Sequence, residues 1–349
     1  MRGALVGYGM IAAGHHEAYL GMADLTIVAV VDCNEQRRAA AKRRDPRLSV
    51  YASMSEMFDK ETIEFVDICT PPSQHLKQQL QALDSGCHVL CEKPFLLDQE
   101  SFSQLIDKIA VTSSLVYPSH NYKFSPVMRY LVETVRSHDF GDLVRGFFRT
   151  MRRGHARGVP EWEPDWRRMP EHSGGGILQD HGTHSIYLAC HVCDARPVSV
   201  SCTLGNLRED SFVATEDTAL ITLDFPGGIE IRLDLTWSCK FRHTSYTLMG
   251  SRQNIIVQND DVILTESGCV TRQKVVSDSD DPSHKAWFAD MLRDFMSSTG
   301  DSGKQKSLLA EAWTTCATIR AAYTSARDGG RRVNVDPLPT ELHNEKVLA

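Results

Sequence analysis

The stretch from Ser173 to His184 reads S-G-G-G-I-L-Q-D-H-G-T-H and places a carboxylate, Asp180, four residues before an imidazole, His184. On a helix of 3.6 residues per turn that spacing leaves the two side chains about 40° apart, so both can face one spot. An imidazole suits proton transfer near neutral pH, and a carboxylate can orient it or hold substrate hydroxyls. An isolated Asp–His pair at this spacing is more often a hydrogen-bonded structural pair than a catalytic one. The three glycines ahead of it let the backbone pack closely against a ligand or another chain segment.

A second constellation opens the chain. Gly7-Tyr8-Gly9-Met10-Ile11-Ala12 follows an apolar run and precedes a helix-like segment. In this G-x-G-x-x-A pattern Gly7 permits a tight turn and Gly9 a close approach to a pyrophosphate. Ala12 lets the helix pack on the strand, and the helix start offers unpaired N–H groups to an anion. The next strand ends in Asp32, about 20 residues on, where a carboxylate accepts hydrogen bonds from ribose hydroxyls and repels a 2′-phosphate. The pattern therefore predicts dinucleotide binding, with NAD favoured over NADP. Arg37 and Arg38 can pair with a phosphate or lie on a solvated helix face, so NADP stays open. His15 and His16 are read as neutral packing or surface histidines, because a positive ring in the first helical turns opposes the helix dipole.

Two further strand ends carry polar groups: Thr70-Pro71-Pro72-Ser73-Gln74-His75, where Ser73 can cap the next helix, and Glu92-Lys93-Pro94. Ligands of a parallel sheet bind at such ends. A charged pair closing a buried strand and locked by proline is unusual for a plain turn. Farther on, Arg149, Arg152, Arg153, His155 and Arg157 lead into Trp162, Trp166, Arg167 and Arg168. Aromatic faces suit sugar rings and arginines suit carboxylates or phosphates; a solvated, partly oligomeric loop is the plainer account. No metal site is expected. Cys190 and Cys193 stand about 120° and 180° from His184 around the helix, and no second C-x-x-C completes a zinc set with His191, Cys87, His88 or Cys91.

These residues need a scaffold. The chain of 349 residues suggests about two domains. Apolar runs at Ala4–Gly7, Thr26–Asp32, Leu48–Tyr51, Phe65–Thr70, His88–Glu92 and Leu115–His120 alternate with helical stretches such as Gln74–Ser85 and Gln99–Val111. That pattern predicts a parallel sheet covered on both faces. From Leu143–Met151 and again from Val198 the pattern becomes period-two strands. In Ile229–Trp237 every second residue is apolar, which gives one core face and one polar face. Helices at about 284–298 and 305–328 close the chain, and Asp278–Asp281 reads as an acidic loop. A net charge of −7 disfavours nucleic acid and anionic membranes, and no apolar run is long enough to span a bilayer. With no leader pattern in the glycine-broken start, the protein is expected in the cytoplasm, and its 10 cysteines as reduced, small core residues.

Taken together, G-Y-G-M-I-A, T-P-P-S-Q-H, C-E-K-P, H-N-Y-K-F-S-P and G-G-G-I-L-Q-D-H-G-T-H resemble the Gfo/Idh/MocA oxidoreductases, the glucose–fructose oxidoreductase and inositol dehydrogenase group. The resemblance runs from Arg2 to about Val335. It implies an α/β fold: an N-terminal Rossmann domain with a doubly wound parallel sheet (1–122), and a C-terminal α/β domain with a large, mostly antiparallel open sheet (123–336). A tail follows at 337–349. It also implies a nicotinamide cofactor and a sugar, cyclitol or related polyol substrate. Lys93, Asp180 and His184 match the catalytic residues at the reacting hydroxyl. Gly7, Gly9, Met10, Ile11, Ala12, Asp32, Thr70, Pro71, His75, Glu92 and Lys93 fall at cofactor positions. Asn121, Tyr122, Trp166 and Arg167 join the catalytic trio at the substrate. A homodimer or homotetramer is expected. Two departures stand out: Tyr187 replaces an acid three residues after the histidine, and Lys123 replaces an arginine. An NAD-dependent glycosidase using transient oxidation and elimination is the nearest rival activity, and a non-catalytic NAD or sugar sensor is another. A sensor needs no proton-transfer pair.

Overall fold

The computed structural model describes residues 1–208, 212–276 and 285–343. The acidic stretch Asp278–Asp281 and the last part of the expected tail, 344–349, lie outside the described residues.

The first part alternates strand and helix: β1 (Arg2–Val6), α1 (Met10–Leu20), β2 (Thr26–Val31), α2 (Glu35–Arg44), β3 (Ser49–Tyr51), α3 (Met54–Phe58), β4 (Phe65–Ile68), α4 (His75–Asp84), β5 (His88–Cys91), α5 (Gln99–Ala110) and β6 (Val116–Pro118). The strands pair in the order β3-β2-β1-β4-β5-β6, all parallel. The order reverses between β1 and β4, and the crevice at that switch point is where such sheets bind ligands. Successive residues serve opposite faces. Ala4 and Val6 pack with α3, α4 and α5, while Leu5 packs with α1 and α2. All but β3, which stops with its run at Tyr51, stop one or two residues before their apolar runs do. At β1 the cause is Gly7, whose φ is +83° and whose added Cβ would lie 2.7 Å from Thr70 Cγ2.

After α6 (Pro126–Val135) comes β7 (Leu143–Met151), then a loop holding the short α7 (Pro170–Ser173), then the long α8 (Ile177–Cys193). Strands β8 (Ser199–Gly205), β9 (Thr218–Asp224), β10 (Glu230–Thr236), β11 (His243–Gly250), β12 (Gln253–Gln258), β13 (Asp261–Glu266) and β14 (Cys269–Lys274) follow. With a short late strand, β15 (Val333–Asn334), they form a nine-stranded sheet in the order β14-β13-β12-β11-β7-β10-β9-β8-β15. Only the central β7–β10 pair is parallel. The inner face is apolar: Ile231, Leu233, Leu235 and Trp237 are buried with Ile177, Leu178, Ile186 and Tyr187 of α8. The outer face carries cross-strand ion pairs, Arg145–Glu230 and Arg149–Asp234, each at 3.2 Å.

The closing helices are α9 (Lys285–Ser297) and α10 (Ser302–Arg327). Phe288, Met291 and Phe295 of α9 return to the Rossmann sheet beside α1. The 26-residue α10 serves two cores. Leu309, Trp313 and Cys316 pack with α4 and α5, whereas Ile319, Ala321 and Ala322 pack with α8 and the second sheet. All ten cysteines are free, but only Cys69, Cys87, Cys91, Cys202 and Cys316 are core residues. Cys33 and Cys269 are exposed, contrary to the expectation, because they sit at a strand–helix junction and on the edge strand β14. Among the described residues, no helix is long and apolar enough to cross a membrane.

Candidate active site

Gly7, Gly9, Met10, Ile11, Asp32, Thr70 and Pro71 line one cleft of about 550 Å³. Gly9 is the N-cap of α1 and supplies no side-chain cap, so the first-turn N–H groups remain available to an anion. A Cβ added at Gly9 would meet nothing within 4 Å, so open space faces the turn. The Asp32 carboxylate accepts hydrogen bonds from the Tyr8 N–H at 2.7 Å and the Asn34 N–H at 2.8 Å. Arg37 Nε donates to the Tyr8 carbonyl and Arg38 Nη1 to the Asp32 and Cys33 carbonyls, so both guanidinium groups bind backbone. An uncapped helix start, an open turn and a carboxylate at the second strand end suit a dinucleotide. Trp162, Trp166, Arg167 and His172 close the cleft from the loop after β7.

Ala12 lies beneath this wall, fully buried, and makes the close helix–strand contact. His75 does not line the cleft. Its Nδ1 lies 2.9 Å from the Pro94 carbonyl and its Nε2 2.9 Å from the Thr70 carbonyl, so the ring ties two strand-end loops together.

A smaller cleft of about 180 Å³ adjoins the first, and Ile11, Cys69, Thr70, Trp166 and Arg167 line both. It brings together Glu92, Lys93, Asn121, Tyr122, Asp180 and His184, the remaining residues singled out from the sequence. Lys93 Nζ donates to Asp180 Oδ1 at 2.6 Å, which joins the Rossmann strand end to the first turn of α8. His181 Nδ1 lies 3.0 Å from Asp180 Oδ2, and Arg167 Nε 3.7 Å from Oδ1. Burial alone would raise the Asp180 carboxyl; the Lys93 charge, the hydrogen bond from His181 and the Arg167 charge outweigh it and hold the group well below the ordinary range.

Asp180 and His184 line the same cleft, but they take separate partners. His184 Nδ1 lies 2.7 Å from the Tyr187 hydroxyl, and its ring stacks on Tyr122 at 4.0 Å. The Tyr122 N–H donates to the same Tyr187 oxygen. Tyr187 thus orients the histidine from the position where the acid was expected. Burial, then the Lys93 charge, push His184 well below the usual histidine range, and burial takes His181 down to about 4. Both rings are neutral near pH 7. Lys123, in place of the arginine, pairs with Glu311 at 2.9 Å and leaves the cleft.

The glycine run meets another chain segment rather than a ligand. Glu216 Oε1, from the loop before β9, accepts the Gly176 and Leu178 N–H groups and the Tyr323 hydroxyl. A Cβ at Gly175 would strike Tyr323, and one at Gly176 would strike Glu216. The start of α8 is thereby capped and fixed.

His15 departs from the neutral reading. It is fully buried, with Nδ1 2.7 Å from Asp67 Oδ2 and Nε2 3.2 Å from Glu92 Oε1, the latter off hydrogen-bond alignment. Burial lowers its pKa, but Asp67 and Cys69 raise it well above the usual value. His16 accords with the neutral reading: it is buried against the Tyr8 hydroxyl at 2.9 Å and its pKa is lowered, chiefly by burial. The sequence reading missed His181, which is adjacent to Asp180 and was legible in the same motif. It also missed Arg242, which approaches the cleft from the segment before β11 with no sequence signal.

Residues 1–120 match a family model described as "Oxidoreductase family, NAD-binding Rossmann fold", and residues 128–256 match the GFO/IDH/MocA C-terminal domain. The chain belongs to the Gfo/Idh/MocA oxidoreductase family. It is similar to an oxidoreductase of Formosa agariphila, 27% identical over 192 residues, which are 53% of this chain and 60% of that protein. It is also similar to the D-glucoside 3-dehydrogenase of Escherichia coli, 26% identical over 70% of this chain and 72% of that enzyme. Among solved structures, a levoglucosan dehydrogenase in complex with NADH and levoglucosan shares the fold, with a TM-score of 0.83 at 18% identity. That likeness covers 97% of this chain and 100% of that one.

Proposed function

We propose that this family member is an NAD-dependent dehydrogenase acting on a secondary alcohol of a sugar, cyclitol or related polyol. The observation that carries the reading is the joining of two clefts through shared walls. One is shaped for a dinucleotide, and the other gathers Lys93, Asp180 and a neutral His184. The activities of the glucoside and levoglucosan dehydrogenases support a sugar as substrate.

A bound nicotinamide supplies the acceptor for the hydride that leaves the carbinol carbon. The chain handles the oxygen and its proton. For His184 to act as base, its Nδ1–H donates to Tyr187 Oη, which turns the Nε2 lone pair toward the substrate hydroxyl. As the C–H bond breaks, the O–H proton moves to Nε2, and the Lys93 ammonium stabilises the charge building on the oxygen. Asp180 holds Lys93 in place through its 2.6 Å contact. In the reverse direction the imidazolium returns the proton to the carbonyl oxygen.

Asp32 favours NAD, since Arg37 and Arg38 are engaged with backbone carbonyls. We also expect a homodimer or homotetramer. The outer face of the second sheet exposes Val144, Leu220, Met249 and Val270 among its ion pairs. Light scattering at micromolar concentration checks this, and a monomer rejects it. The activity is tested by screening polyols with NAD and NADP separately for growth of reduced-nicotinamide absorbance. Cleavage of aryl glycosides without net NADH would instead assign the elimination chemistry.

A further inference from the structure

The smaller cleft has more positive than negative charge. Its wall carries Lys93, Arg152, Arg167 and Arg242 against two carboxylates, Glu92 and Asp180. Both carboxylates are already engaged: Glu92 lies against His15, and Asp180 binds Lys93 with Arg167 beside it. The excess therefore falls on Arg152 and Arg242. Among the described residues, neither forms an ion pair.

Arg152 follows β7 directly and is 6% exposed. Its hydrogen bonds run only to neutral oxygens: Nη1 donates to the Met151 and His243 carbonyls at 2.9 Å, and Nη2 to Thr244 Oγ1 at 3.0 Å. Its Nε is buried with no hydrogen-bond partner. A guanidinium out of water with no carboxylate in ion-pair contact is costly to the fold, and a second guanidinium beside it outweighs the pull of nearby Asp180. Burial and Arg242 both lower the Arg152 pKa, as that repulsion requires. A fixed fork whose Nε–H is unused matches the two oxygens of a carboxylate or phosphate.

We propose that the substrate carries an anionic group, a carboxylate or a phosphate, bound by Arg152 and Arg242 at the second-sheet wall of the cleft. This rests on the polyol-oxidising reading above and narrows its substrate class to sugar acids or sugar phosphates. The anion supplies the missing counter-charge, and its anchoring turns the hydroxyl-bearing chain toward Lys93 and His184.

The experiment measures kcat/KM with NAD on the full-length protein for matched pairs: D-gluconate against D-glucitol, D-glucuronate against D-glucose, and D-glucose 6-phosphate as the phosphate arm. Hydrogen bonds to a charged group make an anionic member favoured by about ten- to a hundred-fold. Preference for the carboxylates or for the phosphate identifies the group. Arg242→Gln should narrow the preference, mainly through a higher KM for the anionic substrate. Arg152→Gln should do the same, and if it fails to fold, Arg242→Gln decides alone. Equal or better use of the neutral members by the wild type overturns the proposal, as does a preference that survives Arg242→Gln. Titration of D-gluconate and D-glucitol into NADH-saturated protein separates the two readings. Tighter binding of D-gluconate without hydride transfer to or from any sugar rejects the dehydrogenase and keeps the anion site. Binding of D-glucitol as tight as that of D-gluconate, or of neither, rejects the anion site.

Discussion

Two buried histidines near the smaller cleft differ in charge, one positive and one neutral. His15, on α1 beneath the Rossmann strand ends, lies between the carboxylates of Asp67 and Glu92 and is held protonated. His184, on α8, is buried beside the Lys93 charge and is held neutral. Burial pushes both rings the same way, so the neighbours decide the outcome. The protonated ring is structural: it lets a carboxylate stand at the end of β5, whose Glu92 receives the Lys93 N–H at 3.1 Å. The neutral ring keeps a free lone pair for chemistry. One residue type thus supplies a fixed cation beneath the cleft and, in the proposed mechanism, a base within it.

The strongest way to break the contrast is at the neutral ring. His184→Ala should slow single-turnover hydride transfer about 100- to 10,000-fold, the span typical of general acid–base groups. Cofactor affinity should hold, because the dinucleotide cleft does not include that ring. Near-normal turnover would leave Lys93, or a water held by Asp180, as the base.

At the charged ring the loss is one of stability. His15→Ala leaves Asp67 and Glu92 buried without the cation between them, and removing one partner of such a group costs about 3–5 kcal/mol. Denaturant unfolding reads this directly. An unmoved midpoint would mean that His15 is not the cation the two carboxylates require.

Asp32→Ala asks whether charge also governs the dinucleotide cleft. Loss of the carboxylate should shift the ratio of NAD to NADP affinity toward NADP by about ten-fold, the scale of one charge-assisted hydrogen bond. Tighter NADP than NAD binding by the wild type would contradict the assignment.

The smallest effects are those of pH on stability, and they carry opposite signs. His15 has a folded pKa above its unfolded value of 6.5, so its contribution is full below that value and fades as pH rises through the folded one. His181 and His184 have folded values below 6.5, so their contribution is full above it and fades on acidification, toward about 4 for His181. Melting temperature should therefore fall on both sides of neutrality. His15→Gln should flatten the alkaline limb and His184→Gln part of the acid one; the reverse pattern would reject the charge assignment.

Much of the scaffold was legible because the strands of the parallel sheet are short and mostly apolar, and several stop at Gly7, Asp32, Glu92 or a proline. The span of β7 was read to the residue, since its flanks turn polar at both ends. The parallel β7–β10 pairing was not legible, because period-two alternation gives the buried face of a strand and not its neighbour's direction. The site divides the same way. Lys93, Asp180 and His184 sit in compact motifs, whereas the state of His15 depends on residues 52 and 77 positions away, and Arg242 arrives from a turn with no pattern of its own. Sequence spacing shows which groups share a helix face, but charge state depends on contacts made across the chain.

The oxygen at Glu216 that gathers three donors has a consequence for heredity. Gly175, Gly176, Glu216 and Tyr323 form a lock whose parts lie on three separate stretches of chain. A side chain gained at either glycine collides with its partner, and a shorter residue at 216 strands two backbone donors and a phenol at once. These positions can change only in concert, so single mutations there meet a barrier to drift. The Arg-bearing loops around the cleft share none of those bonds, so a change there leaves the lock intact. The lining of the cleft can thus diversify while the setting of α8 is passed on unaltered.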